Sequence, residues 1–349
     1  MTSDHIIFDR QLLRLRRQRA AADAARHDFL LQRVADDFAE RLSIVRREFP
    51  VAADIGAHHG VLTERLLAFT SIGTIIETDA VYPPPPRGEG LGVGGTITDR
   101  STVFTPPPAP PRQGEGGRAR PLSSAGGECS IHHAARVTFI VADEEALPFA
   151  PESLDLAGSG LALHLVNDLP GALIQIRRAL KPDGLFLAAL LGGETLKELR
   201  EAWLIAEDEV SGGASPRVAP FADVRDLGGL LQRAGFALPV ADTDVVRVTY
   251  ASPLDLMREI KAMGASNVLS ARRRVPVTRK LLFRAAEVYS ERFALADGRV
   301  SATFEIITLT AWVPHESQQK PLQPGSAKSR LADALGVIEQ GAGEKTGKL

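Results

Sequence analysis

Residues 136–192 constrain the fold more than any other part of this 349-residue chain. A β-branched and apolar run at 136–142 ends on Asp143 and Glu144, and a second apolar run covers 154–159. A polar loop at 164–168 leads into a helix whose apolar positions, Leu173, Ile176, Ala179 and Leu180, recur at helical spacing. Pro182, Asp183 and Gly184 stop that helix, and 185–191 is a third, wholly apolar strand. Strands that alternate with helices and are apolar on both faces predict an α/β fold. Its sheet is doubly wound, mostly parallel and covered on both sides. Ligands of such sheets bind beyond the carboxyl ends of the strands, which is where Asp143, Glu144 and Ser159 fall.

The same pattern begins upstream. Pro50 closes a helix-friendly region, and 51–55 forms a strand that runs into Asp54-Ile55-Gly56-Ala57-His58-His59-Gly60, followed by a helix over 61–69. A strand, a glycine turn and a helix N-terminus make a cradle for a polar ligand, with glycines allowing close backbone approach and free N–H groups pointing outward. A further strand over 73–78 ends on Asp79, about 20 residues after the first glycine, the place of an acidic residue that accepts ribose hydroxyls. With Asp79 and Asp143 at successive strand tips, the turn points to a nucleoside-containing cofactor.

The chain before Pro50 reads as a helical cover. From 9 to 47 it lacks Gly and Pro, and Leu12, Leu13, Phe29, Leu30, Val34, Phe38 and Leu42 lie on an apolar stripe, which predicts two helices over the sheet. The basic run Arg14, Arg16, Arg17 and Arg19 has two readings, a substrate-facing patch or a solvated helix face, and the solvated face is preferred. Between 82 and 134 the α/β pattern breaks into near-repeats rich in Pro, Gly and Arg, too poor in apolar side chains to offset their ordering entropy. They read as a disordered insertion. Cys129, His132 and His133 lie close together there without the paired spacing of a metal site.

Downstream of the central stretch, Thr195 with Glu198 reads as a capping box, and a helix at 224–234 is closed by Gly235. Strands follow at 238–243 and 245–250, helices at 253–263 and 278–292, and a long strand at 300–312. The last strand is expected to pair with 245–250 as the antiparallel edge of the same sheet. The organisation is therefore a helical cover at 1–48 and a core at 49–250 interrupted by the insertion. A helical cap over the crevice at 251–299, a final edge strand and C-terminal segment at 300–335, and a frayed tail at 336–349 complete it. A formal net charge of −2 gives no electrostatic reason to expect a nucleic-acid partner. No apolar run is long enough to span a bilayer, so any membrane association would be peripheral, through a partner. A single cysteine fits a reducing compartment, and an arginine-bearing N-terminus that also carries Asp4 and Asp9 lacks the features of a signal or presequence, so the expectation is cytoplasmic.

These residues carry a resemblance. The core is similar to class I S-adenosylmethionine-dependent methyltransferases of the type 11 group. More narrowly, the chain resembles the complex I assembly factor 5 family, the arginine-hydroxylase and methyltransferase-like proteins. The matching segments are IFDRQLLRLRRQRAA (7–21), DEEALPF (143–149), 163–200 and 215–236, in a match running over roughly 8–80 and 136–335. The resemblance implies S-adenosyl-L-methionine as cofactor. Asp54, Gly56, Ala57 and Gly60 would hold its methionine end and Asp79 its ribose. Asp143 would take the adenine amino group with Glu144 behind it, and Ser159, Gly160 and Leu161 would lie beside the sulfonium. It also implies a protein substrate, an arginine of a quinone-reductase (complex I) subunit. Two departures stand out: the family has glycine where His58 stands, and an aromatic residue in place of Leu165.

Methyl transfer asks little of side chains beyond alignment and a base. His164 and Asp168 are the adjacent titratable pair in the loop after the fourth strand, readable as base and orienter. The opposed reading, slightly preferred, has His164 packing on the nucleoside and Asn167–Asp168 capping the next helix. The iron of a hydroxylase would use two histidines and a carboxylate, and no HxD or HxE spacing is present, so no metal site is expected. Two further functions stay open at this stage: O-methylation of a small carboxylate or phenol, and a non-catalytic assembly chaperone with a degenerate cofactor site.

Overall fold

The apolar runs become one seven-stranded sheet. In the computed structural model, which describes residues 6–81, 135–318 and 336, its strands are β1 (Phe49–Ile55), β2 (Ile72–Asp79), β3 (Arg136–Val141), β4 (Leu154–Gly160), β5 (Leu180–Leu191), β6 (Ala237–Tyr250) and β7 (Val300–Trp312). Their order is β3-β2-β1-β4-β5-β7-β6, parallel through β5, with β7 antiparallel to both of its neighbours. The order reverses between β1 and β4, so the crevice of this sheet opens beyond their carboxyl ends. The insertion with its Cys129, His132 and His133, and the tail apart from Gly336, lie outside the described residues. Contacts group residues 1–314 as one unit and 315–349 as another.

The two faces are read residue by residue from the strand period of two. Ala52, Leu156, Leu185 and Leu187 point into one core, shared with α2 (Phe29–Ser43), α3 (Val61–Leu66), α5 (Lys197–Ser211) and α8 (Arg279–Phe293). Ala53, Ile55, Ala157 and Phe186 point into the other, closed by α4 (Leu169–Ala179) and α6 (Val224–Arg233). The β-branched run of β7 is buried along most of its length, whereas β6 is far more exposed. That difference corrects one expectation: the last strand is inside the sheet and β6 is the edge.

A second correction concerns the start of α5. Leu196, at φ +53°, precedes the helix, and Thr195 is not its cap. Thr195 instead exchanges hydrogen bonds with the backbone of Glu305, while Glu198 reaches Thr303. Both groups spell a capping box in sequence, but a buried strand offered them better partners. The expected cap over the crevice is also only partly formed. α8 lies on the face of the sheet, and the segment after α7 (Pro253–Ala262) is what meets the crevice, through Gly264 and the Val268–Leu269 region.

Candidate functional site

The site is built where β1 turns into α3. Gly56 and Ala57 both donate backbone N–H bonds to the Thr78 carbonyl, at 2.8 and 2.9 Å, which folds the turn against the end of β2. Gly56 is left-handed at φ +69°, and a β-carbon there would strike Ala162, so no other residue fits. Gly60, at φ +82°, precedes α3. His58 is also left-handed, at φ +53°, in a conformation that favours glycine. Its backbone N–H donates to Asp79 Oδ2 at 3.0 Å and its ring Nε2 meets the Gly160 carbonyl at 3.1 Å.

Beyond the strand tips the carboxylates gather. Asp79 takes the N–H of Val81 as well as that of His58. Asp143 and Glu144 follow β3, with the Glu144 side chain only 1% exposed. Asp54 lies deeper: its Oδ2 accepts from Thr63 at 3.0 Å, and its Oδ1 is buried with no hydrogen-bond partner. Burial, reinforced by Glu77, pushes the Asp54 pKa up to about 8, so this carboxyl is protonated at neutral pH.

The tips are answered by arginines from the chain's own N-terminal helix, α1 (Arg10–Ala20). Arg10 bonds Asp143 at 2.7 Å, Glu144, and the Leu165 carbonyl at 3.1 Å. Arg14 bonds Asp143. Arg17, 11% exposed, lies 3.2 Å from Glu144 and 3.9 Å from Asp79. Burial alone would raise the pKa of both carboxyls. For Glu144 it is outweighed by Arg17 and Arg10, and for Asp143 by the Glu145 amide, Arg10 and Arg14, so both are held below their ordinary values. The preferred reading of the basic run as a solvated face therefore fails for Arg14 and Arg17. Charge spacing within one helix gives no sign of acceptors some 130 residues away.

Beneath α1 lies a cavity of about 160 Å³, lined by Arg17, His58, His59, Asp79, Leu161 and His164 among others. His164 packs edge-on against Phe221, with ring centroids 5.6 Å apart, and its Nδ1 is buried without a partner. Burial, then the nearby Arg17 and His58, lowers its pKa to about 3. Burial and Arg17 likewise lower that of His58 to about 4. Both imidazoles are neutral at physiological pH and poor proton acceptors.

Several expected site residues stand elsewhere. Asp168 is the N-cap of α4, accepting from Gly171 N–H at 2.8 Å, and makes no bond to His164, so the base-and-orienter pair is not assembled. Ser159 is fully buried and donates to the Ile55 carbonyl inside the sheet, so its hydroxyl faces β1 and not the crevice. Gly160 presents its carbonyl to His58, and Leu161, at φ +52°, lines the cavity. Asn167, read from the sequence only as part of a helix cap, exchanges two side-chain hydrogen bonds with the backbone of Phe8 and pins the start of α1. Among the described residues no cluster of metal-ligating side chains occurs.

A nucleoside cofactor can be tested against these features. The glycine cradle and the row of carboxylates at positions 79, 143 and 144 fit its nucleoside part, and the unpaired Asp54 Oδ1 marks a polar position below it. The other end is narrowed by the His58 ring on the Gly160 carbonyl.

Comparison with known proteins agrees with this architecture. The sequence profile of the methyltransferase-domain family matches residues 120–188. The chain is 36% identical over 329 residues to arginine-hydroxylase NDUFAF5 of Danio rerio, an alignment covering 94% of this chain and 89% of that one. It is 38% identical over 323 residues to the Mus musculus protein of the same name, covering 92% and 81%. A malonyl-[acyl-carrier protein] O-methyltransferase of Halorhodospira halophila is 40% identical over 173 residues, half of this chain and 57% of that one. The names of the two animal proteins place them in mitochondria, which overturns the cytoplasmic expectation.

Proposed function

The chain belongs to the arginine-hydroxylase NDUFAF5 family, and from that premise we propose that it binds S-adenosyl-L-methionine and modifies an arginine side chain of a quinone-reductase (complex I) subunit during assembly. What supports the reading is one piece of geometry: the glycine turn, bonded through the His58 N–H to Asp79, lies beside Asp143 and Glu144 at neighbouring strand tips. The cofactor supplies a methyl group already activated on a sulfonium.

The chain's own residues bind and orient it. Asp79 holds the ribose hydroxyls, Asp143 with Glu144 behind it holds the adenine amino group, and Gly56, Ala57 and Gly60 give the backbone approach that a side chain would block. Gly160 and Leu161 close the end of β4, and protonated Asp54 adds no negative charge below the cradle. His58 and His164 act as neutral hydrogen-bonding groups. General-base removal of a guanidinium proton is not part of the proposal, because a histidine with a pKa near 3 or 4 gives little driving force for it.

The test is intact-mass analysis of the quinone-reductase subunits from strains with and without this gene. A gain of one methyl, placed on an arginine by fragmentation and absent from the deletion strain, supports methyl transfer from the cofactor, and a gain of one oxygen there supports arginine modification by a reaction that also consumes an external oxidant such as dioxygen. Unchanged masses reject the reading. A second reading, an assembly chaperone that does no chemistry, is favoured by the His58 bond to Gly160. Calorimetry with S-adenosylhomocysteine separates the two, since a chaperone with a closed site takes up none at millimolar ligand.

A further inference from the structure

α1 is attached to the molecule in an unusual way. It buries one side chain of its own, Leu13, in a small cluster with Phe8, Val268 and Leu269, apart from the two main cores. Leu12 packs half-buried against that cluster, and the other ties are polar. Asp9 N–H bonds the Val268 carbonyl at 2.8 Å, and Asp9 Oδ2 pairs with Arg272 at 3.0 Å. Asn167 holds Phe8, Arg16 reaches the Asn267 carbonyl, and Arg10, Arg14 and Arg17 hold the strand-tip carboxylates. A short turn and a 3-10 segment, Ala24–Arg26, link α1 to α2 and provide a pivot.

The carboxylates engaged by α1 are the ones a nucleoside needs. Asp143 already accepts from Arg10, Arg14 and the Glu145 amide, and Glu144 from Arg10 and Arg17. Asp79 carries two backbone N–H groups with Arg17 close by. Carboxylate oxygens have a limited set of lone-pair directions, so an adenine amino group or a ribose diol would contend with these guanidinium groups.

We propose that α1 is an autoinhibitory lid: its arginines occupy the nucleoside-binding carboxylates in the free protein, and the helix must lift from Asp79, Asp143 and Glu144 before the cofactor enters. The inference rests on the cofactor reading above. Apparent affinity is then the intrinsic affinity reduced by the fraction of molecules in the open state. Lifting uncovers the small Phe8, Leu13, Val268 and Leu269 cluster, which is separate from the two main cores, and this places α1 among the segments that open locally without global unfolding.

The experiment uses a reversible lock. Phe8 and Leu269 face each other in an antiparallel bridge flanked by the Asp9–Val268 and Ser270–Ile7 backbone bonds. In such a non-hydrogen-bonded pair the Cα atoms lie about 4.5 Å apart, within disulfide range. Phe8→Cys with Leu269→Cys, in a Cys129→Ser background, pins the far end of α1 when oxidised and frees it when reduced. Binding of S-adenosylhomocysteine is measured by calorimetry on both forms and on the unaltered protein.

The expected result is a loss of affinity of about tenfold or more on oxidation, fully recovered with dithiothreitol. Arg272→Gln, which releases the Asp9 clasp without touching any cofactor-binding residue, should bind a few-fold more tightly than the unaltered protein. Equal affinity in oxidised and reduced forms overturns the lid while leaving the cofactor reading intact. Tighter binding by the oxidised form also overturns it, since α1 would then be part of the occupied site. No binding by the unaltered and reduced proteins at millimolar ligand removes the cofactor reading and the lid together.

Discussion

α1 and α2 are consecutive helices of the same cover, one arginine-rich and the other apolar on one face, and they are held to the molecule by different forces. α2 buries Leu30, Leu31, Val34, Ala35, Phe38 and Leu42 in the larger core. α1 buries one leucine and otherwise relies on arginines. Apolar burial is non-directional and is not screened by salt, whereas ion pairs depend on geometry, ionic strength and what else competes for the partner. The pair teaches that one amphipathic stretch can carry a structural half and a displaceable half, divided at the turn after Ala20.

Four measurements test that contrast, taken from the largest effect to the smallest. Phe38→Ala empties a site that is 1% exposed and should cost about 3–5 kcal/mol in chemical denaturation. The corresponding change in the other helix, Leu13→Ala, should lower global stability by less than Phe38→Ala, no more than the opening free energy of α1, and appear instead as faster amide exchange confined to 10–20. Equal losses for the two would erase the distinction. Next, Glu144→Gln removes the charge that Arg10 and Arg17 share, and should weaken α1 closure by about 2–3 kcal/mol, read as exchange in α1 with α2 unchanged.

A third test is pH. The pKa values of His58 and His164 are lowered to about 4 and about 3, below the ordinary value near 6.5. The unfolded chain therefore binds more protons than the folded one as pH falls through that window, and stability drops with it. Asp54, raised to about 8, acts in the opposite sense, losing its contribution as pH rises through 8. His164→Phe keeps a ring against Phe221 and should flatten the acid limb relative to the unaltered protein. An unchanged limb would show that His164 is not buried as a neutral group. Smallest of all, Arg41→Ala removes a half-exposed fork from α2 to Asp242 and should cost about 1 kcal/mol or less, in keeping with a helix anchored by its core.

Much of the fold was legible because it depends on local pattern. The 300–312 run matches β7, the 2.0-residue alternation assigns Ala52 and Ala53 to opposite cores, and the glycine turn lies between β1 and α3 as expected. What failed depends on partners distant in sequence. Ser159 reads as a pocket residue by position, but the parity of β4 turns its hydroxyl to Ile55. Thr195 and Glu198 spell a cap that β7 takes over. His164 and Asp168 are close in the chain, yet one faces Phe221 and the other caps α4, so the base-and-orienter pairing fails while the capping reading of Asp168 holds. The arginine run shows only that α1 is basic; its acceptors appear once β2 and β3 place Asp79 and Glu144 side by side.

The backbone at residue 58 has a consequence for engineering. At φ +53° a β-carbon is tolerated at a penalty of about 1–2 kcal/mol, and glycine would sit there relaxed. Replacing this histidine by glycine is therefore an edit that removes a functional-looking side chain while relieving the strain of its left-handed backbone. It would also bare the oxygen of residue 160, so a single ordinary substitution can ask whether the ring is a plug or a tool.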